Sequence, residues 1–104
     1  MASLINQVTE IEPNEGCIAS AMQVLGLKWS ALILRDLNSG PKHFCEIEHT
    51  IANITPRILS QRLNDLEKLN IIVQTDGRYS LTSKGSDLIP TLIQMANWGS
   101  KYPN

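Results

Sequence analysis

Arg57, Ser60, Gln61, Asn64 and Lys68 fall at helical spacing within TPRILSQRLNDLEKLNII, residues 55–72. Guanidinium, hydroxyl, amide and ammonium groups are the side chains that bond base edges and phosphates. Recurring every three or four residues, they belong on one face of a helix or beside it. Thr55 is suited to the N-cap, where its hydroxyl accepts from an otherwise orphan backbone N–H, and Pro56 suits the first helical position. Leu59, Leu63 and Leu66 recur on the other face, with Ile58 and Leu69 widening the stripe. A helix with a leucine back and this polar front can enter a DNA major groove. Many solvated helix faces have the same appearance, so this stretch alone leaves both readings open.

No other chemistry competes strongly. No nucleophile, base and orienting acid form a set, so an enzyme is not expected. His43 and His49 lack the spacing and the companions of a metal site, and no metal or other cofactor is expected. Cys17 and Cys45 are not in a CxxC pair and read as reduced thiols; Cys45, near a predicted helix start whose N–H groups favour a thiolate, reads as a structural thiol or a redox-sensing one. Trp29 and Trp98 read as core or interface aromatics. Arg62 lies between the two helix faces and reads as an intramolecular partner of Asp65 or Glu67 rather than a base reader.

These residues sit in a chain of 104 residues, enough for one domain with a thin core that a partner subunit could complete. A hydrophobic content of 42% and a charged content of 18% indicate a folded globule. Net charge is only -1, so the molecule as a whole is not a basic nucleic-acid binder. Its distribution is uneven. Residues 1–52 carry Lys28, Arg35 and Lys42 against six acidic residues, whereas residues 53–84 carry Arg57, Arg62, Lys68, Arg78 and Lys84 against Asp65, Glu67 and Asp76. The basic excess therefore falls on the polar-fronted helix and on the segment C-terminal to it. No apolar run suits a membrane span and no secretory signal is evident, so a cytoplasmic location is expected.

Periodicity predicts the elements that must position the front. Residues 1–15 read as a loose arm, or as one that packs on a second subunit through Leu4, Ile5 and Val8. A short helix is predicted from Cys17 to Leu25, with Ile18, Met22 and Leu25 on one face and Gly26 closing it in a left-handed conformation. A second helix runs from about Trp29 to Asn38 and ends at Ser39-Gly40-Pro41. After a short extended segment, Lys42 to Phe44, a third helix occupies about Cys45 to Ile51. The polar-fronted helix, about 55–69, completes a helix-turn-helix. A strand over Ile71 to Thr75, an Asp76-Gly77 turn and a strand over Arg78 to Leu81 form a hairpin, the wing. Arg78, with Gln74 and Tyr79 as polar neighbours, reads either as a phosphate or minor-groove contact or as an ordinary exposed charge. Thr82 caps a last helix whose apolar arc includes Leu88, Leu92, Met95 and Trp98. That arc is wider than one buried stripe requires, which points to a two-fold dimer. Pro90 implies a kink or a later start.

The sequence resembles the HxlR-type winged helix-turn-helix transcriptional regulators of bacteria and archaea. The resemblance spans roughly residues 16 to 100. It rests on Cys17, GLKWSALILRDLNSGPKHF (Gly26 to Phe44), ITPRILSQRLNDLEKLNII (Ile54 to Ile72), YSLTSKG (Tyr79 to Gly85) and Asn97-Trp98-Gly99. It implies a homodimer whose N- and C-terminal helices form the interface and whose recognition helices enter successive major grooves of an inverted repeat. By position, Thr55, Pro56, Arg57, Ser60, Gln61 and Arg62 are the recognition motif. Lys28 matches a lysine placed to approach the DNA backbone. Cys17 matches a cysteine that some members use as a redox or electrophile sensor. Three departures stand out: Ile18 replaces the usual proline, the wing tip is little more than Asp76-Gly77, and Cys45 stands where a serine-type cap is usual.

The expected architecture is α+β and mainly helical: an arm (1–15), a winged helix-turn-helix (16–82) and a dimerisation helix (83–104). The expected partners are double-stranded DNA, a second copy and a small-molecule or redox signal, with no membrane. DNA contacts are assigned to Thr55, Pro56, Arg57, Ser60, Gln61, Asn64, Lys68, Arg78 and Lys28. Dimer contacts are assigned to Leu4, Ile5, Val8, Leu88, Leu92, Met95 and Trp98. The alternative is a winged-helix module that binds protein, which the short wing and the net charge favour.

Overall fold

The computed structural model describes residues 15–26 and 28–103, so the expected arm contacts of Leu4, Ile5 and Val8 lie outside the described residues. Helices α1 (Glu15–Leu25) and α2 (Lys28–Leu37) lead to strand β1 (Lys42–His43), helix α3 (Phe44–Thr50) and helix α4 (Pro56–Lys68). Strands β2 (Ile72–Thr75) and β3 (Arg78–Leu81) come next, and helix α5 (Ser83–Lys101) ends the described chain. The strands form one antiparallel sheet in the order β1-β3-β2. The fold is mainly helical with a small winged sheet.

The leucine back of α4 forms the centre of the core. Leu59, Leu63 and Leu66 are fully buried against Ile33 and Leu34 of α2, Ile47 of α3 and Ile71. Each such side chain contributes about 1.5–3 kcal/mol of apolar burial. Ile89 of α5 joins this cluster, with Trp29, Leu32, Phe44, Leu88 and Leu92 partly buried around it. Asp36 of α2 is also buried. One of its oxygens meets Lys42 Nζ at 3.2 Å, tying α2 to β1, while the other has no partner.

Local chemistry sets the element ends. Thr55 is the N-cap of α4: its hydroxyl accepts from the Ile58 N–H at 3.2 Å, and Pro56 follows at the first position. Past Leu69, Asn70 is left-handed (φ 61°), its N–H donates to the Glu67 carbonyl, and the Ile71 N–H donates to the Leu66 carbonyl. This pairing is a Schellman closure with Asn in place of Gly. Asp76 (φ 52°) and Gly77 (φ 78°) make the predicted two-residue turn.

Thr82 caps α5 by accepting from the Gly85 N–H at 3.1 Å. The same segment bonds back to the end of α4. The Thr82 N–H donates to the Ile71 carbonyl at 3.0 Å, and the Thr82 hydroxyl reaches the Asn70 carbonyl at 2.6 Å. Lys84 Nζ donates to the Leu69 carbonyl at 2.8 Å, and a Cβ at Gly85 would collide with the Ile71 carbonyl.

Several expectations need correction. Ile18 and Met22 are 52% and 43% exposed, so the outward face of α1 is apolar; of the expected face only Leu25 is buried, with Val24 beside it. Gly26 is not left-handed; it is needed because a Cβ there would crowd the Met22 carbonyl. Cys45 is not a cap. His43 takes that position, its N–H donates to Glu46 Oε1 at 2.7 Å, and Cys45 is the second residue of α3. Helix α5 neither starts after Pro90 nor stops at it; the proline removes one internal bond and the helix continues to Lys101.

Candidate nucleic-acid interface

The polar front of α4 is open. Arg57, Ser60, Gln61 and Asn64 are exposed and, with Glu67 and Tyr79, line a polar depression of about 610 Å³. Helical spacing supplies five of these residues. Strand register supplies the sixth, because β3 pairs Tyr79 with Gln74 of β2 and Lys42 of β1. Burial, reinforced by the Glu67 carboxylate, pushes the Tyr79 phenol above its ordinary pKa. Tyr79 therefore keeps its O–H, a donor suited to a phosphate oxygen. The Thr55 hydroxyl is engaged as an acceptor in capping, and its proton remains available.

Other predicted contacts lie elsewhere. Lys68 is at the far end of α4, in a separate depression with Gln23, Ser30 and Asp65. Lys28 is exposed at the start of α2, its ammonium 4.8 Å from the Trp29 ring centroid. Arg78 alternates with Tyr79 along β3 and so faces the other side of the sheet. There it shares a depression of about 380 Å³ with Pro41, His43, Thr75, Asp76 and Ser80. Its Nε donates to His43 Nε2 at 3.2 Å. Arg62 turns aside and meets Asp65 at 3.6 Å, a half-exposed pair worth little in stability.

Sequence reasoning reaches Tyr79 only as a neighbour of the wing tip, and Glu67 only as a partner for Arg62. Their meeting beside Gln61 and Asn64 depends on how the hairpin docks. It reaches His43 only to set it aside as a metal ligand. A hairpin with a two-residue turn fixes which residues face β1, and that signal could have located it.

Cys17 on α1 and Cys45 on α3 are both free and exposed. Among the described residues no three His, Cys, Asp or Glu side chains gather in a metal-binding group, and no single helix is long and apolar enough to cross a membrane. The apolar arc of α5 divides. Leu88 and Leu92, expected at a dimer seam, are half-buried against the chain's own core. Ile93, Met95, Trp98 and Tyr102 are 43–67% exposed. The Trp98 and Tyr102 rings stack tilted, 5.3 Å apart. Between α2 and α5 runs an apolar groove of about 310 Å³, lined by residues that include Leu32, Leu92 and Ile93 and edged by Arg35.

Two helices joined by a short turn, the second presenting an open polar front, with a hairpin beside it, define a winged helix-turn-helix DNA-binding protein. The chain belongs to the HxlR-like helix-turn-helix family, whose model matches residues 24–104. This is a family of transcriptional regulators and not of enzymes. The HTH-type transcriptional regulator YvaP of Bacillus subtilis (strain 168) is 38% identical over 89 residues, 79% of this chain and 82% of that protein. Quinone-bound YodB from B. subtilis superposes with a TM-score of 0.78 at 36% identity, covering 84% of this chain and 99% of that one. The redox regulator HypR in its oxidised form superposes with a TM-score of 0.72 at 29% identity, covering 84% and 97%.

Proposed function

We propose that the protein works in the cytoplasm as a homodimer that binds an inverted repeat of double-stranded DNA, with α4 of each copy in a major groove. Binding on a promoter would block or recruit polymerase. The observation that carries this reading is the open front of Arg57, Ser60, Gln61 and Asn64 on a helix whose leucine back is wholly buried. Gln61 reads a base edge. Arg57, near the helix start, and the Ser60 and Thr55 hydroxyls hold base or backbone, with Pro56 setting the entry. Asn64 extends the reading, and Lys68, Lys28 and Arg78 meet flanking phosphates. The exposed Met95 and Trp98, with Ile93 and Tyr102, bury against the second copy, and Leu88 and Leu92 support them from behind. A two-fold pair must space its recognition helices near one turn of DNA, about 34–36 Å.

The signal is redox or electrophilic, received at Cys17 or Cys45. Support comes from the exposure of both thiols and from relatives described in quinone-bound, reduced and oxidised forms. A protein-binding module is the second reading, favoured by the Glu67 carboxylate inside the polar depression and by the two-residue wing turn.

Fluorescence anisotropy on the duplex upstream of the protein's own gene, against a scrambled duplex, tests the proposal. The folded protein should prefer the first, with a steep salt dependence. The Arg57→Ala, Gln61→Ala double variant should lose at least about tenfold in affinity, since one good base contact is worth about 1–3 kcal/mol. Folded dimer that binds neither duplex at low salt would transfer the reading to the protein-binding module.

A further inference from the structure

His43 sits at the junction of β1, α3 and the wing, and both of its ring nitrogens are engaged. Nδ1 lies 3.1 Å from the Gly77 carbonyl oxygen, and Nε2 lies 3.2 Å from Arg78 Nε. A carbonyl only accepts, so Nδ1 must carry the hydrogen. Arg78 Nε–H only donates, so Nε2 must present its lone pair. One species satisfies both bonds: the neutral imidazole protonated at Nδ1.

Three features hold the ring in place. The His43 N–H donates to Glu46 Oε1 at 2.7 Å, which fixes the residue as the cap of α3. The β1–β3 register sets His43 directly opposite Arg78. The turn at Gly77 brings its carbonyl back to Nδ1 at the edge of the ring. Among the described residues Arg78 makes no ion pair, so its terminal nitrogens remain available while Nε is tied. Ordering a rotamer-rich side chain at an interface costs conformational entropy, and a side chain ordered beforehand avoids much of that loss.

We propose that His43 is a positioning residue for DNA binding: it holds the Arg78 guanidinium on the outer face of the wing, ready for a backbone phosphate. The inference rests on the wing contact proposed above, and its test separates the two. In nitrogen NMR of the free full-length protein, His43 is the Nδ1–H tautomer and the Arg78 Nε–H signal responds to His43→Gln. An Nε2–H tautomer would overturn the proposal without any DNA present.

Anisotropy on the upstream duplex supplies the second arm. Arg78→Ala lowers affinity several-fold and reduces the salt slope by about one. His43→Ala lowers affinity by about threefold alone and by nothing further in the Arg78→Ala background. His43→Gln, whose amide oxygen can accept from Arg78 Nε, recovers most of the loss. If Arg78→Ala leaves affinity and slope unchanged, the wing contact itself is absent. If Arg78→Ala weakens binding but His43→Ala does not, or His43→Ala weakens both backgrounds alike, the wing contact stands and the positioning role fails.

Discussion

Tyr79 is the residue where burial and charge act together. Its phenol lies partly buried beside Glu67, and both effects disfavour the phenolate. The folded pKa is raised, so the stability linked to it is complete below the unfolded phenol's pKa and is lost as pH rises through the folded value. The chain has two tyrosines. Spectrophotometric titration of the Tyr102→Phe variant should therefore show one phenol ionising above the ordinary range, and Glu67→Gln should bring it part of the way back. The identities of Arg57, Ser60 and Gln61 as an exposed front were readable from helical spacing alone. The contributions of Tyr79 and Glu67 were not, because strand and helix meet only through tertiary docking. Lys68 shows the converse. It shares the spacing of Arg57, Gln61 and Asn64, yet it lies among residues of α1 and α2 at the far end of the helix.

At the scale of the element, the caps carry testable energy. Thr55→Ala removes the acceptor for the Ile58 N–H and should cost about 1 kcal/mol in chemical denaturation. Glu46 belongs to the α3 cap. The His43 N–H holds its carboxyl below the ordinary range against an opposing effect of burial, with help from the charges of Arg78 and Lys42. That stabilisation is present above the unfolded carboxylate's pKa and is lost as pH falls through the folded one. Glu46→Gln should therefore flatten the acid limb of the stability profile, measured by circular dichroism in urea. The caps at Thr55 and Thr82 and the Asp76-Gly77 turn were legible because each closes within four residues. The His43 cap, the left-handed Asn70 and the unbroken course of α5 through Pro90 were not. Each is held in part by segments distant in the chain: the wing turn for His43, Thr82 for Asn70 and the shared core for α5.

For the whole molecule, the proposed dimer raises the question of which parts of α5 serve the monomer and which serve the pair. Leu92 serves the chain's own core, so a charge there would damage folding and association together. Trp98, 67% exposed, and Ile93, 49% exposed, separate the two effects. The Ile93→Asp, Trp98→Asp variant should keep its helical circular dichroism, sediment as a monomer and lose about a hundredfold in affinity for the duplex, as the second recognition helix is no longer tethered. Unchanged sedimentation would place the seam elsewhere. The arrangement at Thr82, Lys84 and Gly85 bears on how such a pair could be controlled. Three donors from the first turn of α5 and the residue before it grip the carbonyls of Leu69, Asn70 and Ile71, just past α4, and a glycine lets the backbones touch. In the proposed dimer a push on α5 would carry through these bonds toward α4, as along the arms of a bell crank, and a reagent that never approaches the DNA would put the two recognition helices out of phase with the grooves.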